Sequence, residues 1–210
     1  MQTDRVRVEG TDAGIAQALE ECERFCAYAR LSGKAAVHVR LLTEEALGMI
    51  RGILGSRSAQ FWLETARKRG KNLCRICITV DTDVDNDLRQ ELLGVSSSGK
   101  NSAAVGIVGK IRDIIEIGLQ GYDEASRLQS QGGLYGVNYA AMGMVDPDGI
   151  ADAFYWSLDA YKEQVSDLEE SQEAEEAWDE LEKSVVSRLA DEVRVGIRQG
   201  LVELVVEKQI

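Results

Sequence analysis

Apolar and polar residues alternate along the chain in three regions, in the manner of β-strands. The N-terminal run 5–9 alternates valine with charged residues, and the runs 60–66 and 73–80 do so around the basic segment 67–71. Because successive side chains of a strand point to opposite faces, a period of two indicates strands with one buried face. The two longer runs, with a short basic segment between them, predict an antiparallel hairpin.

The C-terminal region predicts a second hairpin and also its register. Apolar residues alternate over 193–198 and again over 201–206, with Gln199 and Gly200 between them. In a hairpin with a two-residue turn, residues equidistant from the turn face each other. Three apolar pairs then share one face: Ile197 with Val202, Val195 with Leu204, and Val193 with Val206. One apolar and one charged face indicate a sheet that is covered on a single side.

Apolar residues that recur every three or four positions predict helices between these strands. The first helix is capped by Thr11 or Asp12 and ends at Ser32 and Gly33, and the second covers 34–54. Further stripes predict a helix that ends near Leu119, a helix with Phe154, Leu158, Tyr161 and Val165 on its apolar side, and a helix with Trp178, Leu181, Val185 and Leu189. The stretch 166–176 is acidic and predicts a linker or an exposed helix.

The order of these elements predicts the fold class. Strand, two helices, two strands and a helix are followed by the region 120–189 and by the two final strands. Helices that fall on one face of an antiparallel sheet give a two-layer α+β sandwich.

The segment 94–119 has the local chemistry of a phosphate site. A Gly/Ser loop carrying Gly99, Lys100 and Asn101 leads into the helix that ends near Leu119. The first backbone N–H groups of a helix are unpaired and attract anions, and a lysine adds a full positive charge. The loop comes near the GxxxxGK[ST] pattern, but Asn101 replaces the hydroxyl residue and a helical segment precedes it. A solvated linker before an ordinary helix is the competing interpretation.

Composition and charge exclude several classes of partner. A net charge of −12 argues against nucleic acid and anionic membranes, which select basic proteins. No apolar run is long enough to span a bilayer and the N-terminus has no signal sequence, so we expect a cytoplasmic protein. Four cysteines and one histidine, His38, do not predict a metal site. Cys74 and Cys77 lie three apart in a strand and point to opposite faces, and Cys22 and Cys26 belong to an apolar helical stripe.

Three short motifs occur in an order known from one family of ATPases. Glu45 and Met49 lie four apart on one face of the second predicted helix, the acidic run 81–85 follows a strand, and Gly106 and Gly109 open the third helix. In this order the motifs resemble those of the GHKL ATPases, the family of histidine-kinase catalytic domains and Hsp90. The anti-sigma-factor serine kinases of that family are closest in size.

The resemblance implies a Bergerat-like fold, with an antiparallel-type mixed sheet and helices on one face. It implies an ATP-binding domain of residues 1–119 plus 190–210, with 120–189 as a mostly helical insertion. It also assigns roles: Glu45 activates the attacking group, and residues 88–101 form a lid. The residues expected to bind the nucleotide are Asp81, Asp83, Gly99, Lys100, Asn101, Gly106 and Gly109.

This sequence departs from the family pattern at two places. Met49 stands where the family has the asparagine that holds Mg²⁺, and a thioether is a poor ligand for that ion. Asp83 and Asp85 replace two glycines, and their charges repel a triphosphate. The resemblance therefore predicts an ATP-binding regulatory protein with weak or no turnover; if active, it is a protein serine kinase or an ATPase.

Two other functions stay open at this point. One is a catalytically inactive module of the same fold that binds a protein, for which a sigma-factor-like partner and a homodimer are expectations from the resemblance. The other is a metal-dependent hydrolase that uses Glu45, Asp81, Asp83 and Asp85.

Overall fold

The computed structural model describes residues 1–54, 57–68, 70–81, 106–120, 154–167, 172–198 and 201–210. Its strands are β1 (Val6–Glu9), β2 (Ser58–Lys68), β3 (Lys71–Asp81), β4 (Phe154–Ser157), β5 (Glu192–Arg198) and β6 (Leu201–Gln209). Its helices are α1 (Asp12–Tyr28), α2 (Gly33–Leu54), α3 (Gly106–Gln120), α4 (Leu158–Asp167), α5 (Gln172–Lys183) and α6 (Val185–Leu189). The predicted α+β class is confirmed.

The strands form one open six-stranded sheet in the order β1-β2-β3-β6-β5-β4. Each pairing between these described strands is antiparallel, so the predicted mixed character of the sheet is not observed. Both predicted hairpins are confirmed, and β6 lies between β3 and β5 because the last hairpin joins the first one edge to edge. The C-terminal register is the predicted one: Ile197 faces Val202, Val195 faces Leu204 and Val193 faces Val206.

The two faces of the sheet differ in polarity. On β3 the residues Cys74, Ile76, Ile78 and Val80 are buried in the main core, together with the helices. Their neighbours on the same face are also apolar: Val6, Val8, Ala59, Phe61, Leu63, Val202, Leu204, Val206, Val193, Val195 and Trp156. Cys77 belongs to the opposite face, which confirms that the two cysteines of the CxxC spacing point apart.

A row of alternating charges crosses this opposite face, and we call Glu64, Arg75, Glu207 and Arg194 the charge ladder. The Glu207 carboxylate accepts hydrogen bonds from Arg75 Nε at 2.9 Å and from an Arg194 terminal nitrogen at 2.5 Å. Arg75 also donates to Glu64 Oε1 at 3.2 Å. The four side chains come from β2, β3, β6 and β5, so the ladder ties four strands together in one register.

Local signals set the ends of α1. The side-chain oxygen of Thr11 accepts a hydrogen bond from the Gly14 N–H, as a helix N-cap does. The helix ends at Tyr28, earlier than the predicted stop at Ser32 and Gly33. Arg30 has a φ of 55°, a left-handed conformation that reverses the chain so that α2 packs back against α1.

The structure corrects two predictions in the region 154–189. Phe154 does not begin a helix: it opens β4, which pairs with β5, and the helix starts only at Leu158. The apolar spacing of Phe154 and Leu158 fits a helix, but strand pairing overrides it. The helix predicted over Trp178 to Leu189 is interrupted at Ser184, whose side chain caps α6 by accepting from the Ser187 N–H.

Residues 154–167 and 172–189, part of the predicted insertion, contribute β4 to the same sheet. They also place α4, α5 and α6 in the same core through Leu158, Tyr161, Val165, Leu181 and Val186. Glu192 of β5 fastens this region, because its Oε1 accepts hydrogen bonds from the N–H groups of Leu158 and Val193 at 3.0 and 2.8 Å.

Candidate functional site at the end of the central sheet

The candidate site lies at the C-terminal end of β3, which carries one of the predicted nucleotide contacts. Asp81 is the last residue of β3 and faces Leu201 of β6. Ala59 of β2 faces Val80, so the start of β2 lies at the same end of the sheet. The C-terminal end of α2 also lies here, since a side-chain carbon built on Gly10, directly after β1, would lie 3.1 Å from the Arg51 carbonyl oxygen. α2, which carries Glu45, also packs against β3, which ends at Asp81.

Glu45 and Met49 lie on α2 as predicted, but in different environments. Glu45 is half-buried, whereas Met49 is 2% exposed and belongs to the apolar core. The position that holds Mg²⁺ in the GHKL family is thus filled here by a thioether packed among hydrocarbon side chains. A hard divalent cation needs oxygen ligands, so these residues do not fit a magnesium ion.

The other predicted contacts are only partly described. Asp81 is exposed at the end of its strand, and Gly106 and Gly109 lie in the first turn and a half of α3. Asp83, Gly99, Lys100 and Asn101, with the rest of the predicted lid 88–101, lie outside the described residues. The structure therefore brings Glu45 and Asp81 to neighbouring elements and leaves the loop contacts as predictions.

α3 itself is anchored through Lys110. Its ammonium group donates to the Tyr161 hydroxyl at 2.6 Å and to Glu180 Oε2 at 2.9 Å, and it lies 5.0 Å from the centre of the tyrosine ring. Burial opposes the charged form, but the hydrogen bonds with Tyr161 and Glu180 outweigh it and raise the pKa of Lys110. A lysine held in its charged form is a structural cation and not a nucleophile, and it joins α3 to α4 and α5.

Sequence reasoning missed Arg57, which immediately precedes β2. Its backbone N–H donates to the Leu54 carbonyl at 2.8 Å, so it turns the chain from α2 into the sheet. Its side-chain Nε is buried and has no hydrogen-bond partner among the residues that the structure describes. Burial lowers the pKa of this guanidinium. The only sequence signal is an arginine inside the Gly/Ser segment 55–58, which alone predicts nothing more than a loop.

A buried guanidinium N–H without an acceptor is unfavourable by roughly 1–3 kcal/mol, and more when charged. Oxyanions satisfy such a group well, because phosphate and carboxylate oxygens accept the paired N–H bonds of arginine. Arg57 and Asp81 lie at the same end of the sheet. This end therefore offers a cation for an anionic group beside an acceptor for an amino group.

Within the described part of the chain, no group of three or more His, Cys, Asp or Glu side chains is arranged to hold a metal ion. This gives no support to a hydrolase built on Glu45 and Asp81, whose other predicted ligands, Asp83 and Asp85, are not described. Among the described helices, none combines the length and the apolar character needed to cross a membrane.

Comparison with known proteins adds no assignment: no family model, no curated protein and no solved structure matches the chain. The GHKL resemblance therefore stays a prediction from the motifs.

Proposed function

We propose that the protein is a regulatory protein that binds ATP or a related nucleotide at the end of the central sheet, with little or no phosphoryl transfer. The observation that carries this proposal is the buried Nε of Arg57, which has no hydrogen-bond partner among the described residues and lies at the same end of the sheet as Asp81. Arg57 contacts the phosphate oxygens and Asp81 accepts from the adenine amino group. The order of the motifs along the sequence, from Glu45 to the closing hairpin, is the basis of the GHKL resemblance that also motivates this proposal.

The same site argues for binding without turnover. Phosphoryl transfer depends on metal ions that neutralise charge on the transferring group. Met49, packed in the core, offers no oxygen ligand at the position concerned. Nucleotide affinity then comes from the protein's own cations, so Mg²⁺ adds little to it.

Calorimetry with ATP and with ADP, each with and without Mg²⁺, tests this function. We expect binding that Arg57→Gln weakens at least tenfold, because a charge-assisted hydrogen bond contributes about 1.5–3 kcal/mol. Lys100→Ala should also weaken binding, since the predicted loop brings a second cation. Arg7→Gln is the matched control, because Arg7 is an exposed arginine of β1.

ADP release should stay at background in the wild type and in Glu45→Ala. No binding heat at millimolar nucleotide would refute the proposal. Rapid, Mg²⁺-dependent ADP release would show instead that the protein is an active kinase or ATPase.

A protein-interaction module is the second candidate function, and one surface favours it. Tyr28 is 78% exposed at the end of α1, and Val37 and Leu41 are 55% and 38% exposed one turn apart on α2. Val37 and Leu41 therefore share a solvent-facing side of α2, and exposed apolar patches are typical of contact sites. If the module binds a protein or a second copy of itself, Val37→Asp with Leu41→Asp should abolish partner capture or dimerisation measured by light scattering, while nucleotide binding is unchanged.

A further inference from the structure

Three of the four cysteines converge where α1 packs on the sheet. Cys22 and Cys26 lie one turn apart on α1, and Cys74 lies on the helix-covered face of β3. Cys22 and Cys26 shift each other's pKa values, Cys74 contributes to the pKa of Cys26, and Cys22 contributes to the pKa of Cys74. Cys22 Sγ also lies 3.4 Å from the hydroxyl oxygen of Thr43 on α2. All four cysteines are unpaired in the structure.

The members of this cluster differ in access and in acidity. Cys26 is 8% exposed and lies in the last turn of α1, whereas Cys22 and Cys74 are fully buried. The interaction with Cys22 lowers the pKa of Cys26 although burial opposes this, whereas the interaction with Cys26 and burial both raise the pKa of Cys22. Burial also raises the pKa of Cys77, to about 12, on the opposite face of the sheet. The thiolate form is the nucleophile of a cysteine, so Cys26 is the reactive member.

We propose that Cys26 and Cys22 form an oxidation site for hydroperoxides, with Cys26 as the attacking thiol and Cys22 as the resolving thiol. The Cys26 thiolate attacks one peroxide oxygen, the O–O bond breaks, and a proton from water converts the departing alkoxide or hydroxide to an alcohol or water. Cys26 is thereby oxidised to a sulfenic acid and the peroxide is reduced. The Cys22 thiol then attacks the sulfenic sulfur, a disulfide forms, and the hydroxyl leaves as water.

The helix imposes a structural consequence on this reaction. Side chains four apart in a helix have β-carbons about 5–6 Å apart, whereas a disulfide requires about 3.5–4.5 Å. The bond therefore forms only if the last turn of α1 loosens. Cys26 stands two residues before the end of the helix. The hydrogen bonds that would break are those from the N–H groups of Ala29 to Phe25 O and of Leu31 to Cys26 O, at 2.8 and 2.9 Å.

Tryptic mapping of the whole protein tests the proposal without a variant. Cleavage after arginine and lysine places the four cysteines in four different peptides, 8–24, 25–30, 72–75 and 76–89. The protein is treated with hydrogen peroxide, its remaining thiols are alkylated, and the digest is analysed without reductant. We expect peptide 8–24 joined to peptide 25–30, a product that dithiothreitol separates. Faster amide exchange at 27–31 should accompany it.

Two variants identify the attacking thiol and control for position. In Cys22→Ala, dimedone should trap a sulfenic acid on peptide 25–30. Cys77→Ala, on the other face of the sheet, should still give the 8–24 to 25–30 crosslink. No crosslink at peroxide levels that oxidise a small thiol, a crosslink that includes peptide 72–75 or 76–89, or dimedone on any other peptide would overturn the proposal.

Discussion

Glu207 gives the sharpest test of how the charge ladder stabilises the face of the sheet opposite the helices. Its side chain is 3% exposed, yet it lies on the face away from the main core. It is shielded as part of the charge ladder, where Arg75 and Arg194 both donate to its Oε1. We expect the substitution Glu207→Gln to keep the shape of the side chain and to remove its charge. The two arginines then lose their shared counter-charge, and Arg194 already has a buried Nε without a partner in the described structure.

The expected loss follows from two hydrogen bonds. A bond to a charged group contributes about 1.5–3 kcal/mol. The sum is an upper limit, because the Arg75 and Arg194 side chains are 31% and 21% exposed and water takes over part of their solvation. The glutamine oxygen also keeps one acceptor. We therefore expect roughly 2 kcal/mol less free energy of unfolding, or about 4–8 °C in melting temperature for a chain of this size.

Urea unfolding followed by circular dichroism at pH 7 measures this loss. The midpoint should fall while the slope with denaturant stays constant, since the surface exposed on unfolding is the same. Glu203→Gln is the control, because Glu203 is a half-buried glutamate of β6 for which the described residues provide no salt bridge. A loss below about 0.5 kcal/mol for Glu207→Gln, or an equal loss in both variants, would refute the role of the ladder.

Two further predictions concern a buried acid and a tight packing position. Burial raises the pKa of Glu192 above its ordinary value of 4.5, so the folded state holds this proton more firmly than the unfolded chain. As pH rises from the unfolded-state pKa through the raised folded-state pKa, the wild type should lose free energy of unfolding relative to Glu192→Gln. A difference between the two proteins that stays constant from pH 4 to pH 7 would contradict this. Gly14→Ala should lower the melting temperature, because the new carbon would lie 2.8 Å from the Glu9 carbonyl oxygen. At Gly48 in α2 an added side-chain carbon would meet nothing within 4 Å, so Gly48→Ala should raise the free energy of unfolding by about 0.5–1 kcal/mol and with it the melting temperature. A change of the same sign in both variants would contradict the packing argument.

Part of the candidate site could be read from sequence and part could not. The positions of Glu45 on a helix and of Asp81 at a strand end could be predicted, because a helix face and a strand end are local features. Arg57 was not predicted, because it is distinguished by a buried nitrogen that has no partner among the described residues, and burial depends on residues distant in the chain. The environment of Met49 was likewise invisible, since the sequence gives the residue type and not whether it packs in the core or borders a pocket.

The sequence alone determined five of the strands (β1, β2, β3, β5 and β6), the two hairpins and the register of Ile197 with Val202, because a period of two and a short turn act over neighbouring residues. Only the tertiary structure decided that Phe154 joins β5 as a strand, where pairing with a distant segment outweighs a helical spacing. It also decided that β6 lies between β3 and β5 and that Cys74 of β3 lies near Cys22 and Cys26 of α1. These outcomes depend on contacts between residues far apart in the chain, and local patterns carry no information about such contacts.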